Sequence, residues 1–157
     1  MPTKEPTLGK AAPAFTLPST AGEPFKLKDA LGKKVVLYFY PKDNTPGCTQ
    51  EGSDFAELSA AFKKTKAIVF GISGDTLAAH EKFKAKMKFP FDLLADEDRA
   101  VCKLYDVIQE KSLYGRKFLG IERSTFLIDA NGKLQQQWRK VRVKGHAAEV
   151  LTATQAL

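Results

Sequence analysis

Cysteine is scarce in this chain. Two residues, Cys48 and Cys102, in 157 are too few and too far apart for a disulfide framework. In a reducing compartment a thiol is then either an inert core residue or a chemical one. Histidine is equally rare, and neither His80 nor His146 has Cys, Asp or Glu at ligand spacing, so no metal site is expected. His80 reads as a surface or capping residue of a helix, and His146 as a structural residue opening the last helix. No glycine pattern cradles a phosphate, because Gly71-x-x-Gly74 is too short for one. Long apolar runs are absent too. Val35 to Tyr40 is the longest, far below the roughly 20 residues of a membrane span. Met1 to Lys10 contains no apolar run of the kind a secretory signal needs, so a cytoplasmic location is expected.

Acidic residues are outnumbered, 18 against 25 basic ones, for a net charge of +7. Such an excess invites nucleic acid or an anionic membrane as partner. The bases are spread along the chain, however, with only Lys82, Lys84, Lys86 and Lys88, and Arg139, Lys140, Arg142 and Lys144, forming groups. Both groups read as solvated outer faces. The aromatics beside the lysines, Phe83 and Phe89, suit a core face better than a platform for stacked bases. Neither nucleic acid nor membrane is expected as a partner.

What the chain does have is bulk for a core, with 43% hydrophobic residues and eleven Phe. Its length points to one domain over residues 1–157. Ala12 to Pro18 and Phe25 to Leu27 read as short extended pieces around a turn at Ala21-Gly22-Glu23. Val35 to Tyr40 and Ala67 to Ile72 are continuously apolar, as central strands covered on both faces are. Between them Phe55, Leu58, Ala61 and Phe62 form one helical stripe, predicting a helix from about Gly47 to Lys64. Asp75-Thr76 opens a second helix running to Met87, and Phe89-Pro90 ends it. A short strand over Phe91–Leu94 and a short helix over Arg99–Tyr105 follow. Ser124–Asp129, Asn131-Gly132 and Leu134–Val141 spell a hairpin, and Ala147–Ala156 a closing helix. The order βαβ then ββα predicts an α/β thioredoxin-like fold: a mixed central sheet flanked by helices, with N-terminal strands and an inserted strand–helix segment. Fold alone assigns no activity.

The informative segment is Pro41-Lys42-Asp43-Asn44-Thr45-Pro46-Gly47-Cys48-Thr49, between the first central strand and the long helix. Thr45 followed by Pro46 reads as an N-cap and the first helical position. Cys48 then falls in the first turn, among N–H groups that have no partner within the helix. Those donors and the positive end of the helix dipole favour an anion, so a thiolate at this place should be stabilised. Thr-Pro-Gly is also ordinary punctuation before a helix, and cysteine is often a small buried hydrophobe. The segment alone leaves both readings open.

Pro41, Thr45 and Cys48 reproduce the spacing Pro-x-x-x-Thr-x-x-Cys, which resembles the peroxiredoxin signature. Tyr38 to Thr49 as a whole is similar to the bacterioferritin comigratory, or Q-type, subfamily. Gly71-Ile72-Ser73, Phe91 to Asp96, Glu110-Lys111, Tyr114-Gly115, Glu122 to Asp129 and Gly145-His146 also fit, in order along nearly the whole chain. The resemblance implies a cofactor-free peroxidase in which Cys48 is the peroxidatic nucleophile. Thr45 accepts from the thiol or holds the peroxide, Pro41 shields the sulfur, and Arg123 stabilises the thiolate and the departing oxygen. An ordinary cysteine of pKa about 8.5 is already roughly a tenth thiolate just below pH 8, so full ionisation gains only about tenfold. Donors aimed at the peroxide oxygens must therefore supply most of the acceleration.

Many members of the subfamily resolve the oxidised sulfur with a second cysteine, either five residues on, where this chain has Ser53, or on the next helix, where it has Lys84. The apolar neighbours of Cys102 mark it as core. A one-cysteine cycle is expected, reduced by thioredoxin, glutaredoxin or glutathione, in a monomer or a dimer. A thioredoxin-like disulfide exchanger would need a second cysteine at position 51, which is Glu. The alternative of another class is a basic binding or chaperone-like module without peroxidase activity.

Overall fold

A computed structural model describes residues 6–157; residues 1–5, where the segment read as lacking a signal begins, lie outside the described residues. Five strands build the central sheet in the order β5-β4-β3-β8-β9. Strands β3 (Lys34–Phe39), β4 (Ala67–Ser73) and β5 (Asp92–Ala95) run parallel, as their continuous apolar character requires. Strands β8 (Ser124–Ile128) and β9 (Leu134–Trp138) are antiparallel, joined through Gly132 at φ 80°. The N-terminal pair β1 (Thr16–Leu17) and β2 (Phe25–Lys26) forms a small sheet apart from the main one.

Strand β3 splits the core by its alternation. Val35, Leu37 and Phe39 face one cluster, with Phe15, Cys102, Tyr105 and Phe126. Val36, Tyr38 and Tyr40 face the other, with Cys48, Phe55, Phe62 and Val150. The first side is closed by the N-terminal segment and helix α4 (Ala100–Leu104), the second by α1 (Pro46–Glu57), α2 (Ser59–Lys64), α3 (Leu77–Met87) and α5 (His146–Gln155). The thioredoxin-like mixed sheet flanked by helices predicted from the sequence is the fold observed.

Four local expectations need correction. The single helix over 47–64 is two helices with a break at Leu58, whose ψ of 6° departs from the helical value while the stripe stays in place, Phe55 and Phe62 both being buried. The last strand stops at Trp138 rather than Val141. Arg139 turns inward there, donating to the carbonyls of Asp106 and Tyr105 at 2.6 and 3.1 Å, and so is no solvated face. Lys84 likewise leaves its solvated group, pairing with Asp92 at 2.6 Å. Between α4 and β8 lies a hairpin, β6 (Ile108–Leu113) and β7 (Arg116–Ile121), that polar alternation in the sequence does not reveal. Phe83 and Phe89 are buried, as expected of a core face.

Candidate active site

The site forms where the chain leaves β3. Thr45 is the N-cap of α1 and Pro46 its first residue, which puts Cys48 third, inside the first turn. Thr45 does not cap with its hydroxyl as the sequence suggests. Its Oγ1 donates instead to the Lys42 carbonyl at 2.9 Å, tightening the loop. Pro41, half-buried, follows the buried Tyr40 at the start of that loop. Cys48 is a free thiol, and its residue is only 2% exposed.

Sheet register delivers the arginine. Phe39 pairs with Ser124 across β3 and β8, so Arg123, one residue earlier, falls beside the end of β3. Its own carbonyl accepts from the Val141 N–H at 3.0 Å, which fixes the backbone. From there Nη2 donates to the Cys48 Sγ at 3.3 Å. Gly47 makes this approach possible, since a Cβ on it would lie 3.1 Å from the same Nη2.

Glu51 completes the group, although its residue entered the sequence analysis only as the place of a missing cysteine. One helical turn past Cys48, its Oε1 accepts from Arg123 Nη1 at 2.5 Å. Its side chain is 1% exposed. Burial pushes the Glu51 carboxyl up to about 7, with the Arg123 charge pulling back part of the rise. Burial works against the Arg123 charge, but Glu51 and then Cys48 outweigh it and hold the guanidinium above its ordinary value. Glu51 Oε2 and Tyr38 Oη are the buried side-chain polar atoms without a hydrogen-bond partner among the described residues. Lys111, half-buried in β6, donates to the Ile121 carbonyl at 2.7 Å; burial and then Arg123 lower its pKa.

The structure brings Cys48, Thr45, Pro41 and Arg123 to one end of the sheet, and leaves Cys102 on the other face of it. Phe39 also faces away from the sulfur, whereas Tyr38, Tyr40 and Phe55 line the Cys48 side. His80 is not a surface residue but fully buried, bonded to Asp43 and to the Leu94 carbonyl. Asp43, Asp75 and His80 each bring a ligand atom within 4.8 Å of the others. Hydrogen bonds already occupy those atoms, and no step is assigned to a metal. His146 is buried against Thr125 Oγ1 at 2.7 Å, which suits a structural part.

The AhpC/TSA family matches residues 8–137. The chain belongs to that family. Peroxiredoxin Bcp of Bacillus subtilis is 47% identical over 144 residues, covering 92% of each chain. Peroxiredoxin Bcp of Escherichia coli is 40% identical over 143 residues, covering 91% of this chain and 92% of that one. Among solved structures, peroxiredoxin Q of Xanthomonas campestris superposes with a TM-score of 0.87 at 48% identity and 90% coverage of both chains. A PrxQ variant of Xylella fastidiosa reaches 0.92 at 40% identity, covering 98% of both. The resemblance to Q-type peroxiredoxins drawn from the motifs therefore holds along the chain. No helix among the described residues is long and apolar enough to cross a membrane.

Proposed function

We propose that this chain is a thiol-dependent peroxidase that reduces hydrogen peroxide and organic hydroperoxides through Cys48, with residues 1–157 acting as one domain. The observation that carries the reading is the 3.3 Å contact between the Arg123 guanidinium and a sulfur in the first turn of α1. The thiolate attacks one peroxide oxygen, the O–O bond breaks, and the other oxygen leaves with its electron pair to be protonated to water or an alcohol. Sulfur loses two electrons and becomes a sulfenic acid. Charge grows on the leaving oxygen, and Arg123 and the N–H groups of the first turn are the donors available to meet it. Thr45, whose hydroxyl hydrogen goes to the Lys42 carbonyl, can hold the peroxide by accepting from its O–H. Arginine suits the task, being always charged and rigidly forked. Pro41 shapes the entrance. Support for organic substrates comes from the Xanthomonas campestris bacterioferritin comigratory protein, whose structures concern alkyl peroxide reduction.

An external thiol returns the sulfenic acid to thiol. It forms a mixed disulfide with Cys48 and releases water, and a second thiol frees the Cys48 thiol as a disulfide of the reductant. Thioredoxin, glutaredoxin and glutathione are the reductants of the right chemistry. Ser53 and Lys84 stand at the two positions where the resemblance to Q-type peroxiredoxins implies a resolving cysteine in one member or another, and Cys102 lies across the sheet. Two free thiols suit a reducing, cytoplasmic setting, and a monomer suffices for the chemistry, a dimer through an oxidised thiol being the alternative. The test compares peroxide consumption by the native chain and by Cys48→Ser, with thioredoxin and glutathione systems side by side. Loss of all turnover in the variant is expected. Equal rates would favour a basic binding module instead, and a Cys48–Cys102 disulfide found by mass spectrometry would end the one-cysteine cycle.

A further inference from the structure

Helix α3 supplies nothing to the reacting group, yet it grips the loop that does. Asp43 sits between Pro41 and Thr45, and its carboxyl points inward. Oδ1 accepts from the Tyr40 hydroxyl at 2.6 Å, and Oδ2 lies 2.6 Å from His80 Nδ1. The other ring nitrogen of His80, Nε2, is 3.0 Å from the Leu94 carbonyl. A peptide carbonyl can only accept, so Nε2 carries a hydrogen. Nδ1 then either donates its own proton to the carboxylate or takes one from the carboxylic acid. In both cases one proton is held between the two side chains, and the pair as a whole is neutral. Neutrality permits such a pair in a place where His80 is 0% exposed.

Two further bonds hold the same stretch. The Asp43 N–H donates to Asp75 Oδ2 at 2.8 Å, and Ser73 Oγ steadies that oxygen at 2.5 Å. Asn44 stands in the left-handed region at φ 63°, and its Oδ1 accepts from Lys86 Nζ at 2.7 Å. His80 and Lys86 both belong to α3, and Asp75 just precedes it. Consecutive residues of the loop are therefore clamped from one helix, while Thr45 and Cys48 lie immediately beyond the clamp.

We propose that His80 is a positioning residue for peroxide reduction. By holding the Asp43 carboxyl it fixes the Pro41–Thr45 loop, and with it the donors that must meet the peroxide oxygens. The inference rests on the peroxidase reading given above. Reactions that need only the sulfur, such as alkylation, do not depend on those donors, whereas peroxide cleavage does. Small misplacement of such groups lowers rates by up to about a hundredfold.

Two replacements of His80 separate its two bonds. His80→Asn keeps a donor near the place of Nδ1 and retains the link to Asp43. His80→Gln keeps one near Nε2 and retains only the link to Leu94. The rate of peroxide reaction with reduced Cys48, the rate of iodoacetamide alkylation and the urea midpoint are measured on each. The expected result is a loss of about tenfold or more in the peroxide rate for His80→Gln, alkylation within about threefold of wild type, and recovery of most of the peroxide rate in His80→Asn. A His80→Gln rate within twofold of wild type overturns the proposal, as do equal losses in both variants or alkylation falling in parallel. Should the Gln variant not fold, Asp75→Ala decides. Asp75 is half-buried and holds the loop from its backbone side, so a selective several-fold loss is expected, and an unchanged peroxide rate overturns the proposal. If wild type consumes no peroxide, the peroxidase reading fails first, and the outcomes remain distinguishable.

Discussion

Cys48 and Cys102 are both free, both buried and both on helices, yet their surroundings differ in sign. Cys48 sits in the first turn of a twelve-residue helix with a guanidinium 3.3 Å from its sulfur. Cys102 sits inside the short helix α4, where its own N–H and that of Val101 are bonded to the Asp96 carboxylate. Burial and then Asp96 push the Cys102 thiol far above its ordinary value. Exposure does not separate the two, at 2% and 0%. The charge that shares the buried space does, and a buried thiol becomes useful chemistry only where that charge is positive.

Removing the positive partner tests this contrast with the largest effect. Arg123→Met should cost about a hundred- to a thousandfold in the rate of peroxide reduction, the range found for deleting one preorganised donor. Arg123→Lys should recover little of it, because an ammonium cannot reach Cys48 and Glu51 together in the same fork. Arg123→Met should also lower stability by about 3–5 kcal/mol at neutral to alkaline pH by leaving Glu51 buried without its partner. The double variant with Glu51→Gln should regain stability but not rate. If the rate returned with the stability, the guanidinium would be a scaffold and not a donor.

Glu51 sharpens the comparison by a smaller amount. Its carboxyl ionises at about 7 in the folded chain against 4.5 in the open one. A carboxyl raised on folding adds stability fully present below pH 4.5, lost progressively as pH climbs to about 7, and absent above it. The gap corresponds to at most about 3 kcal/mol. Urea denaturation from pH 4 to pH 8 should therefore show wild type losing stability relative to Glu51→Gln across that window and running parallel to it above. A constant difference throughout would mean that Glu51 titrates alike in the folded and the open chain, and wild type gaining stability as pH rises past 4.5 would mean that Arg123 holds the carboxylate ionised. The same titration shifts how the guanidinium is shared, so the pH dependence of the peroxide rate should carry a component near 7 that the Gln variant lacks.

The sequence was most informative where local chemistry determines structure. The two apolar strands, the N-cap at Thr76 with its bond from the Ala79 N–H, and the Asn131-Gly132 turn are written in residues a few positions apart. Cys48 at a helix start was readable for the same reason. Arg123 came from family motifs, since only the pairing of Phe39 with Ser124 carries it to the sulfur, a contact across 75 positions. Glu51 had a local signal that went unused, because a residue three after Cys48 shares its helix face. His80 had none: a polar residue on a helix looks solvated until Asp43, 37 positions away, is seen facing it. The β6–β7 hairpin escaped because its exposed face mixes Leu113, Tyr114, Phe118 and Leu119 with charged residues, so neither strand alternates cleanly.

The smallest expected effect belongs to Cys102. Replacing it by Ala removes one buried sulfur from a packed cluster, a cost of about 1 kcal/mol in urea denaturation. Steady-state turnover with either thioredoxin or glutathione should stay within about twofold of wild type, because no step of the proposed cycle touches that thiol. Geometry makes the case as well as charge does. A disulfide needs Cα atoms within about 7 Å, and these two cysteines belong to clusters on opposite faces of the central sheet. A bond between them would require the sheet to open. Turnover that collapses in Cys102→Ala while the first oxidation of Cys48 proceeds at full speed would show that such opening occurs and that the far cysteine resolves the near one.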